Sequence, residues 1–191
     1  MPNLYIIAGP NGAGKTTSAK VLVPDFFNAH YFINADDIAR IINPLNPEKE
    51  ALQAGKLMLK QIDDLIQIKK DFAFETTLSA RSYVATIDRA KQCGYRVHLV
   101  FLFLQSAKIA QSRVKTRVKQ GGHDIAKEVI ARRYIGGLNN FFNLYQPIVN
   151  SWFFYDNTGI LPELVAAKKN KKLIIYKKHF WAEVVKAYGN R

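Results

Sequence analysis

Asn3-Leu4-Tyr5-Ile6-Ile7-Ala8-Gly9-Pro10-Asn11-Gly12-Ala13-Gly14-Lys15-Thr16 is the stretch that decides the fold. Residues 3 to 8 form a short apolar run of strand character, and residues 9 to 16 match the pattern Gly-x-x-x-x-Gly-Lys-Thr in full. A strand before such a loop and a helix after it is the context that cradles phosphate. The glycines let backbone N–H groups wrap phosphate oxygens, and the helix start adds positive potential. Lys15 reaches the β and γ phosphates, and the Thr16 hydroxyl ligates Mg²⁺. The expected nucleotide-binding set is therefore Gly9, Pro10, Asn11, Gly12, Ala13, Gly14, Lys15 and Thr16, with ATP or GTP and Mg²⁺ as cofactors. Thr17 either assists from the same helical turn or serves as a helix-start residue.

Outward from this loop, the first helix begins near Lys15 and ends at Pro24. Tyr31-Phe32-Ile33 is a second strand, delivering Asn34, Ala35, Asp36 and Asp37. Residues 47 to 68 read as a helix with Leu52, Leu59, Ile62 and Ile66 at helical spacing. Phe72-Ala73-Phe74 is a third strand, delivering Glu75, Thr76 and Thr77. A helix over residues 82 to 93 stops at Gly94, and residues 97 to 104 are nearly all apolar, the pattern of a central parallel strand covered on both faces. Helices follow over residues 106 to 119, up to Gly121-Gly122, and over residues 125 to 144, before Pro147. Trp152-Phe153-Phe154-Tyr155 is a fifth strand, closed by Asp156-Asn157-Thr158-Gly159. A short helix is expected over residues 162 to 167, then a lysine-rich turn over residues 168 to 172 and an edge strand at Leu173-Ile174-Ile175-Tyr176. Repeated strand, loop and helix units argue for an open α/β sheet with right-handed connections, and the length of 191 residues for one domain spanning residues 1–191.

No run approaches eighteen apolar residues and no charged leader precedes Leu4, so neither a membrane span nor an export signal is expected. The single Cys93 excludes an intrachain disulfide and reads as a helix-packing residue, which fits a cytoplasmic protein. The net charge of +13 is uneven: residues 1 to 80 hold 8 Lys/Arg against 9 Asp/Glu, and residues 81 to 191 hold 20 against 6. Such a field concentrates anions, among them nucleotides, small anionic metabolites and nucleic acid.

Asp36 and Asp37 lie at a strand end, where open α/β sheets bind ligands. One of them contacts an acceptor hydroxyl or metal-bound water, or both serve the start of the next helix, whose apolar positions include Ile38, Ile41 and Ile42. Glu75 ends an otherwise apolar strand beside two hydroxyls, and a carboxylate there is costly without solvent, a cation or hydrogen-bond partners. Arg81 either holds an anionic substrate group or makes a surface ion pair. Arg113 and Arg117 share one helix face and Lys115 and Lys119 an adjacent one, which suits a solvated surface or a phosphate-reaching lid. Arg132 and Arg133 return positive charge from the next helix, and guanidinium forks suit shifting phosphoryl charge. His123 reads as exposed. The aromatic runs at Phe141-Phe142 and residues 152 to 155 read as core, and Asp156-Asn157 serve either a nucleotide base or a turn.

The ordered set resembles the zeta-toxin-like group of P-loop kinases and ATPases. The resemblance rests on residues 8 to 17, Phe32-Ile33-Asn34-Ala35-Asp36, residues 74 to 81, residues 113 to 123 and Arg132-Arg133-Tyr134, and covers roughly residues 3 to 158. It implies an α/β, three-layer P-loop fold of the nucleotide-kinase type, with a mainly parallel sheet and an arginine-bearing helical lid at about residues 106–133. It also implies transfer of an ATP or GTP γ-phosphoryl group to a hydroxyl of a UDP-amino-sugar. In that scheme Lys15 and Thr16 hold triphosphate and Mg²⁺, Asp36 orients or deprotonates the acceptor, and Glu75 and Arg81 line the acceptor side. Arg117 and Arg133 clamp the moving phosphoryl group, with Arg113 and Arg132 as further lid candidates. The resembled toxins are held by a small helical antitoxin, so a protein inhibitor is an expected partner. The chain departs from the pattern at Ala35 and Asp37 and in the longer stretch between Glu75 and Arg81.

Two other functions fit the same residues. A partner-regulated NTPase would keep Lys15 and Thr16 and use Asp36 or Glu75 to position water. A nucleic-acid-binding protein, or an RNA or DNA end-kinase, would use the cationic C-terminal portion to track phosphates.

Overall fold

Five strands run parallel and two antiparallel in one seven-stranded sheet of order β2-β3-β1-β4-β5-β6-β7. The structure, a computed structural model, describes residues 1–19, 31–122 and 124–189. The parallel strands are β1 (Asn3–Ala8), β2 (Tyr31–Ile33), β3 (Phe72–Thr76), β4 (Arg96–Phe103) and β5 (Ser151–Asp156). β1 lies between β3 and β4, with Ile6 opposite both Phe74 and Leu99. The helices are α1 (Ala35–Ile42), α2 (Ala51–Gln67), α3 (Tyr83–Gln92), α4 (Ala107–Lys119), α5 (Lys127–Asn140) and α6 (Lys178–Tyr188). The helix after the glycine loop is described over residues 15–19.

Strand alternation sends side chains to both faces of the sheet. Leu4, Ile6, Phe72, Phe74, Leu99 and Phe101 join the main core with α2, α3 and α5. Ile7 and Ala73 pack on Ala19 of the loop helix on the other face. Helices on both faces of a mainly parallel sheet make the three layers of a P-loop NTPase fold. Phe101 stacks on Phe154 at 5.4 Å and Trp152 on Trp181 at 5.5 Å, so the aromatic runs are core.

The helix expected over residues 162 to 167 is a strand, β6 (Glu163–Lys169), antiparallel to β5 and to β7 (Lys172–Ile175). Val165, Ala166 and Ala167 are all buried, and so short an apolar run fits strand or helix until its neighbours are known. Asn170 and Lys171 alone make the turn, both with positive φ, the conformation of a two-residue type I′ hairpin, so Lys168, Lys169 and Lys172 belong to strands.

The helix expected over residues 125 to 144 starts at Lys127 and runs to Asn140, then passes through a π-turn (Phe141–Tyr145) into Gln146–Ile148, with Pro147 inside that last turn. The wider turn, closed by Gln146 N–H on the Phe141 carbonyl, moves the proline ring off the collision it would make in a regular helix. Residues Pro47–Glu50 are a 3₁₀ turn, so the buried stripe of α2 is Ala54, Met58, Ile62, Leu65 and Ile66, and Leu52 is 75% exposed. Ile41 is likewise exposed, and Ala39 is the buried residue of α1. Cys93 is exposed at the end of α3 and packs no helix. α6 was not foreseen; Trp181 anchors it over Phe142, Trp152 and Phe154. Among the described residues no helix is long and apolar enough to cross a membrane. Pro24 and His123 lie outside the described residues.

Candidate active site

β1 delivers the glycine loop at the carboxyl edge of the sheet, next to the ends of β3 and β4. Gly9 has φ +146°, and a Cβ there would lie 2.4 Å from the Leu102 carbonyl oxygen, so the loop leaves the sheet only through glycine. Gly9 N–H donates to the Thr76 carbonyl at 3.2 Å and Ala13 N–H to the Pro10 carbonyl at 3.1 Å. Lys15 is 8% exposed and its Nζ donates to the same Pro10 carbonyl at 3.1 Å, a neutral acceptor that an anion can replace. From behind, Asn157 Nδ2 donates to the Ala13 carbonyl at 2.7 Å. Arg113 holds that support in turn, its guanidinium donating to the carbonyls of Asn157 at 2.8 Å and Thr158 at 2.7 Å. Asn157 is thus a loop buttress.

Glu75 lies inside β3, 9% exposed, and its Oε2 accepts the Thr16 hydroxyl at 2.7 Å. Burial pushes the Glu75 carboxyl above the usual carboxylate range, against the pull of Lys15 and the Thr16 hydroxyl. Burial pushes the Lys15 ammonium down; Glu75 and Asp36 pull it back, and Arg117 and Arg133 push it further down. The two groups oppose the effect of burial on each other, and an arriving polyphosphate would favour the Lys15 ammonium.

Asn34 takes the capping role that Asp36 or Asp37 could have had. Asn34 is the N-cap of α1, its Oδ1 accepting Asp36 N–H at 2.8 Å, so neither aspartate is needed as the cap. Asp37 pairs with Arg40 at 2.9 Å on the exposed side. Asp36, itself exposed, lines the cavities beside the loop. Two adjoining cavities meet there: one of about 220 Å³ lined by Thr16, Thr17, Arg113 and Arg117, and one of about 280 Å³ lined by Thr77, Ser79, Tyr83 and Arg133. Lys15, Asp36 and Glu75 border both.

The structure therefore brings Lys15, Thr16, Asp36, Glu75, Arg113, Arg117 and Arg133 together. It leaves Arg132, Lys115 and Lys119 exposed. Arg81 is exposed too and lines neither cavity, although its neighbour Ala80 lines the second.

Sequence reasoning missed the turn after β3. Leu78 is fully buried with φ +60°, its N–H bonded to Thr76 Oγ1 at 3.0 Å. Asn140 Nδ2 donates to the carbonyls of Leu78 and Ser79 at 2.9 and 3.0 Å, and Tyr145 Oη donates to the Ala80 carbonyl. At Gly137 a Cβ would stand 2.4 Å from the Thr77 carbonyl oxygen. α5, which carries Arg133, is thereby fastened to the wall that carries Glu75. Gly136-Gly137 inside a helix was the available signal, since glycine there weakens a helix unless another backbone approaches.

The sequence profile of the zeta toxin family matches residues 1–179, nearly the whole chain. The chain belongs to the zeta toxin family. A zeta toxin family chain of this kind carries a P-loop kinase fold, and other proteins share it. An uncharacterized protein of Haemophilus influenzae is 35% identical over 129 residues, covering 66% of this chain and 88% of its own. A chain of the AvrRxo1-ORF1:AvrRxo1-ORF2 complex, crystallised with ATP, superposes with a TM-score of 0.74 at 15% identity, over 96% of this chain and 63% of that one. The present chain thus spans less than two thirds of that protein. A chain of the PezAT toxin–antitoxin system of Streptococcus pneumoniae gives a TM-score of 0.67 at 16% identity, over 98% and 78% of the two chains. At such identities these two likenesses are ones of fold.

Proposed function

We propose that this zeta toxin family protein is a Mg²⁺-dependent phosphotransferase moving the γ-phosphoryl group of ATP or GTP to a hydroxyl of a small acceptor, with nucleotide sugars as the first class to test. The observation that carries the reading is the pair of cavities sharing Lys15, Asp36 and Glu75. A donor bound over the glycine loop would meet an acceptor in the second cavity at these three side chains. Asp36 takes the proton of the acceptor hydroxyl as its oxygen bonds to the γ phosphorus and the bond from that phosphorus to the bridging β–γ oxygen breaks. Lys15, Arg117 and Arg133 balance the charge moving onto the leaving diphosphate. The Thr16 hydroxyl beside the Glu75 carboxylate fits a hard oxygen-seeking cation that takes few protein ligands and completes its shell from phosphate and water. Thr16 and Glu75 would hold Mg²⁺, which when bound supplies charge neutralisation at the β and γ phosphates. The lid in this reading spans about residues 106–133, with Arg113 and Arg117 on its cleft side; Arg81 would join the acceptor side only after a shift of its exposed side chain. The AvrRxo1 complex with ATP supports the choice of nucleotide, and that complex and the PezAT system support a protein partner that restrains activity.

The test incubates the protein with γ-labelled ATP or GTP, Mg²⁺ and a panel of nucleotide sugars, free sugars and short RNA and DNA ends. Label moves to an acceptor in wild type and falls by about 10³-fold in Lys15→Ala, the order seen when one charge-stabilising donor is removed from a site. Release of label as inorganic phosphate alone, with every acceptor unmodified, would identify an NTPase instead.

A further inference from the structure

We propose a second ligand site, for a small organic anion, at the amino-terminal edge of the parallel strands, built by Tyr5, Arg96, His98, Ser151, Phe153 and Lys169. A cavity of about 410 Å³ opens there, bounded also by Val100, Asn150 and Asn170. That volume lies in the range of roughly 300–1,000 Å³ typical of small-molecule sites. Tyr5 lies in β1 and Gly9 four residues on, just past its end, which puts the glycine loop on the order of 13 Å away at the opposite sheet edge. The site is therefore separate from the phosphoryl-transfer cleft and independent of its reading.

The floor is a polar chain from Asp71 through Asn3 and His98 to Ser151. Asp71 accepts the Asn3 backbone N–H at 2.9 Å and its side-chain Nδ2 at 3.0 Å. Asn3 Oδ1 must then accept from His98 Nε2, 3.2 Å away. His98 Nδ1 is left as the acceptor of the Ser151 hydroxyl at 2.7 Å, and Ser151 is 5% exposed. Tyr5 stacks on the imidazole at 5.1 Å, and Val100 and Phe153 add an apolar wall. A satisfied polar floor, an aromatic stack and apolar walls are rigid and need no water to complete them.

The mouth has the opposite character. Arg96 and Lys169 are exposed, and neither joins an ion pair among the described residues. Asn150 Oδ1 is committed to Val97 N–H at 2.8 Å, leaving its amide hydrogens as donors. Burial, then Arg96 and Lys169, hold the His98 imidazole below its ordinary value against the pull of Asp71. Two unneutralised cations over a flat apolar surface recognise a carboxylate or phosphate carried on an aromatic or aliphatic body.

Phenyl phosphate, benzoate and neutral benzyl alcohol are titrated calorimetrically into the full chain carrying Lys15→Ala, which weakens phosphate binding at the glycine loop. At least one anion should bind saturably and at least tenfold more tightly than benzyl alcohol. Adding Arg96→Gln and Lys169→Gln should weaken it at least tenfold, while Tm and, in a wild-type Lys15 background, phosphoryl transfer stay unchanged. Preference for phenyl phosphate assigns a phosphate ester and preference for benzoate a carboxylate. Absence of anion binding, or binding that survives the double substitution, overturns the site; the single substitutions serve if the pair lowers Tm.

Discussion

Asp36 occupies the second position of α1, two residues after the Asn34 cap, and its carboxylate borders both cavities of the cleft. Asp36→Asn leaves the cap in place and removes one first-turn charge from the helix start, so stability should change by less than about 1 kcal/mol. Single-turnover transfer should fall by about 10²–10⁴-fold if the carboxylate takes the acceptor proton, with nucleotide binding retained. Near-wild-type transfer in a folded Asp36→Asn protein would remove Asp36 as the proton acceptor. The glycine loop was readable residue by residue because its chemistry is local. The choice between Asp36 and Asp37 was half readable: Asn34 was present as a capping signal, but only the helix rotation shows which carboxylate lines the cavities. Arg133 was named over Arg132 only by the family resemblance, and the rotation of α5 sets Arg133 at the second cavity and Arg132 in solvent. The bond from Thr16 to Glu75 joins residues 59 apart in sequence and left no local trace.

α5 works as the clamp of the cleft, because Gly137 lets the Thr77 carbonyl approach and Asn140 ties down the next two carbonyls. Gly137→Ala should destabilise by about 1–3 kcal/mol, the usual cost of overpacking against a backbone that cannot yield, and it should slow transfer by displacing the β3 wall. Gly55→Ala on α2, where a Cβ meets nothing within 4 Å, should instead stabilise by up to about 1 kcal/mol, and urea denaturation of the two variants separates the effects. A second element-scale expectation concerns Tyr95, 3% exposed, whose hydroxyl lies 2.9 Å from the Leu65 carbonyl and 2.8 Å from that of Lys70, joining the end of α2 to the start of β4. Burial, with Asp71 and Cys93 nearby, pushes its pKa up to about 12 from 10.0. The folded state holds this proton more tightly than the unfolded one. Its stabilisation is therefore complete below about pH 10 and lost as pH climbs through about 12, amounting to about 3 kcal/mol at most. In Tyr95→Phe the fall of unfolding free energy between those values should be shallower by one proton, measured by urea titration at each pH; an unchanged slope would discount this tyrosine. The elements themselves were mostly readable, since residues 97 to 104 are apolar enough to be central on pattern alone, and β4 is found at Arg96–Phe103. β6 was misread because four apolar residues carry no period, and its strand state comes from pairing with β5 and β7.

Across the whole molecule, the 20 cations of residues 81 to 191 include the cleft arginines Arg113, Arg117 and Arg133 and the hairpin lysines Lys168, Lys169, Lys171 and Lys172. Long-range steering of a nucleotide by such a field is screened over about 8–10 Å at physiological salt. Raising KCl from about 50 to about 300 mM should lower kcat/KM for nucleotide several-fold and leave kcat nearly constant, as read from initial rates; a salt-independent kcat/KM would mean that only contact charges matter. By itself the sequence determined that a phosphate loop follows the first strand and that a parallel sheet lies behind it, because both depend on hydrogen bonds and periodicities among near neighbours in the chain. Only the tertiary structure decided that Lys15, Asp36 and Glu75 border two cavities at once, that Arg81 stands outside them, that α5 is fastened to the turn after β3, and that the sheet ends in an antiparallel hairpin. Those arrangements depend on strand order, helix rotation and burial among residues distant in sequence, and each becomes determined only when the surfaces that exclude water are in contact.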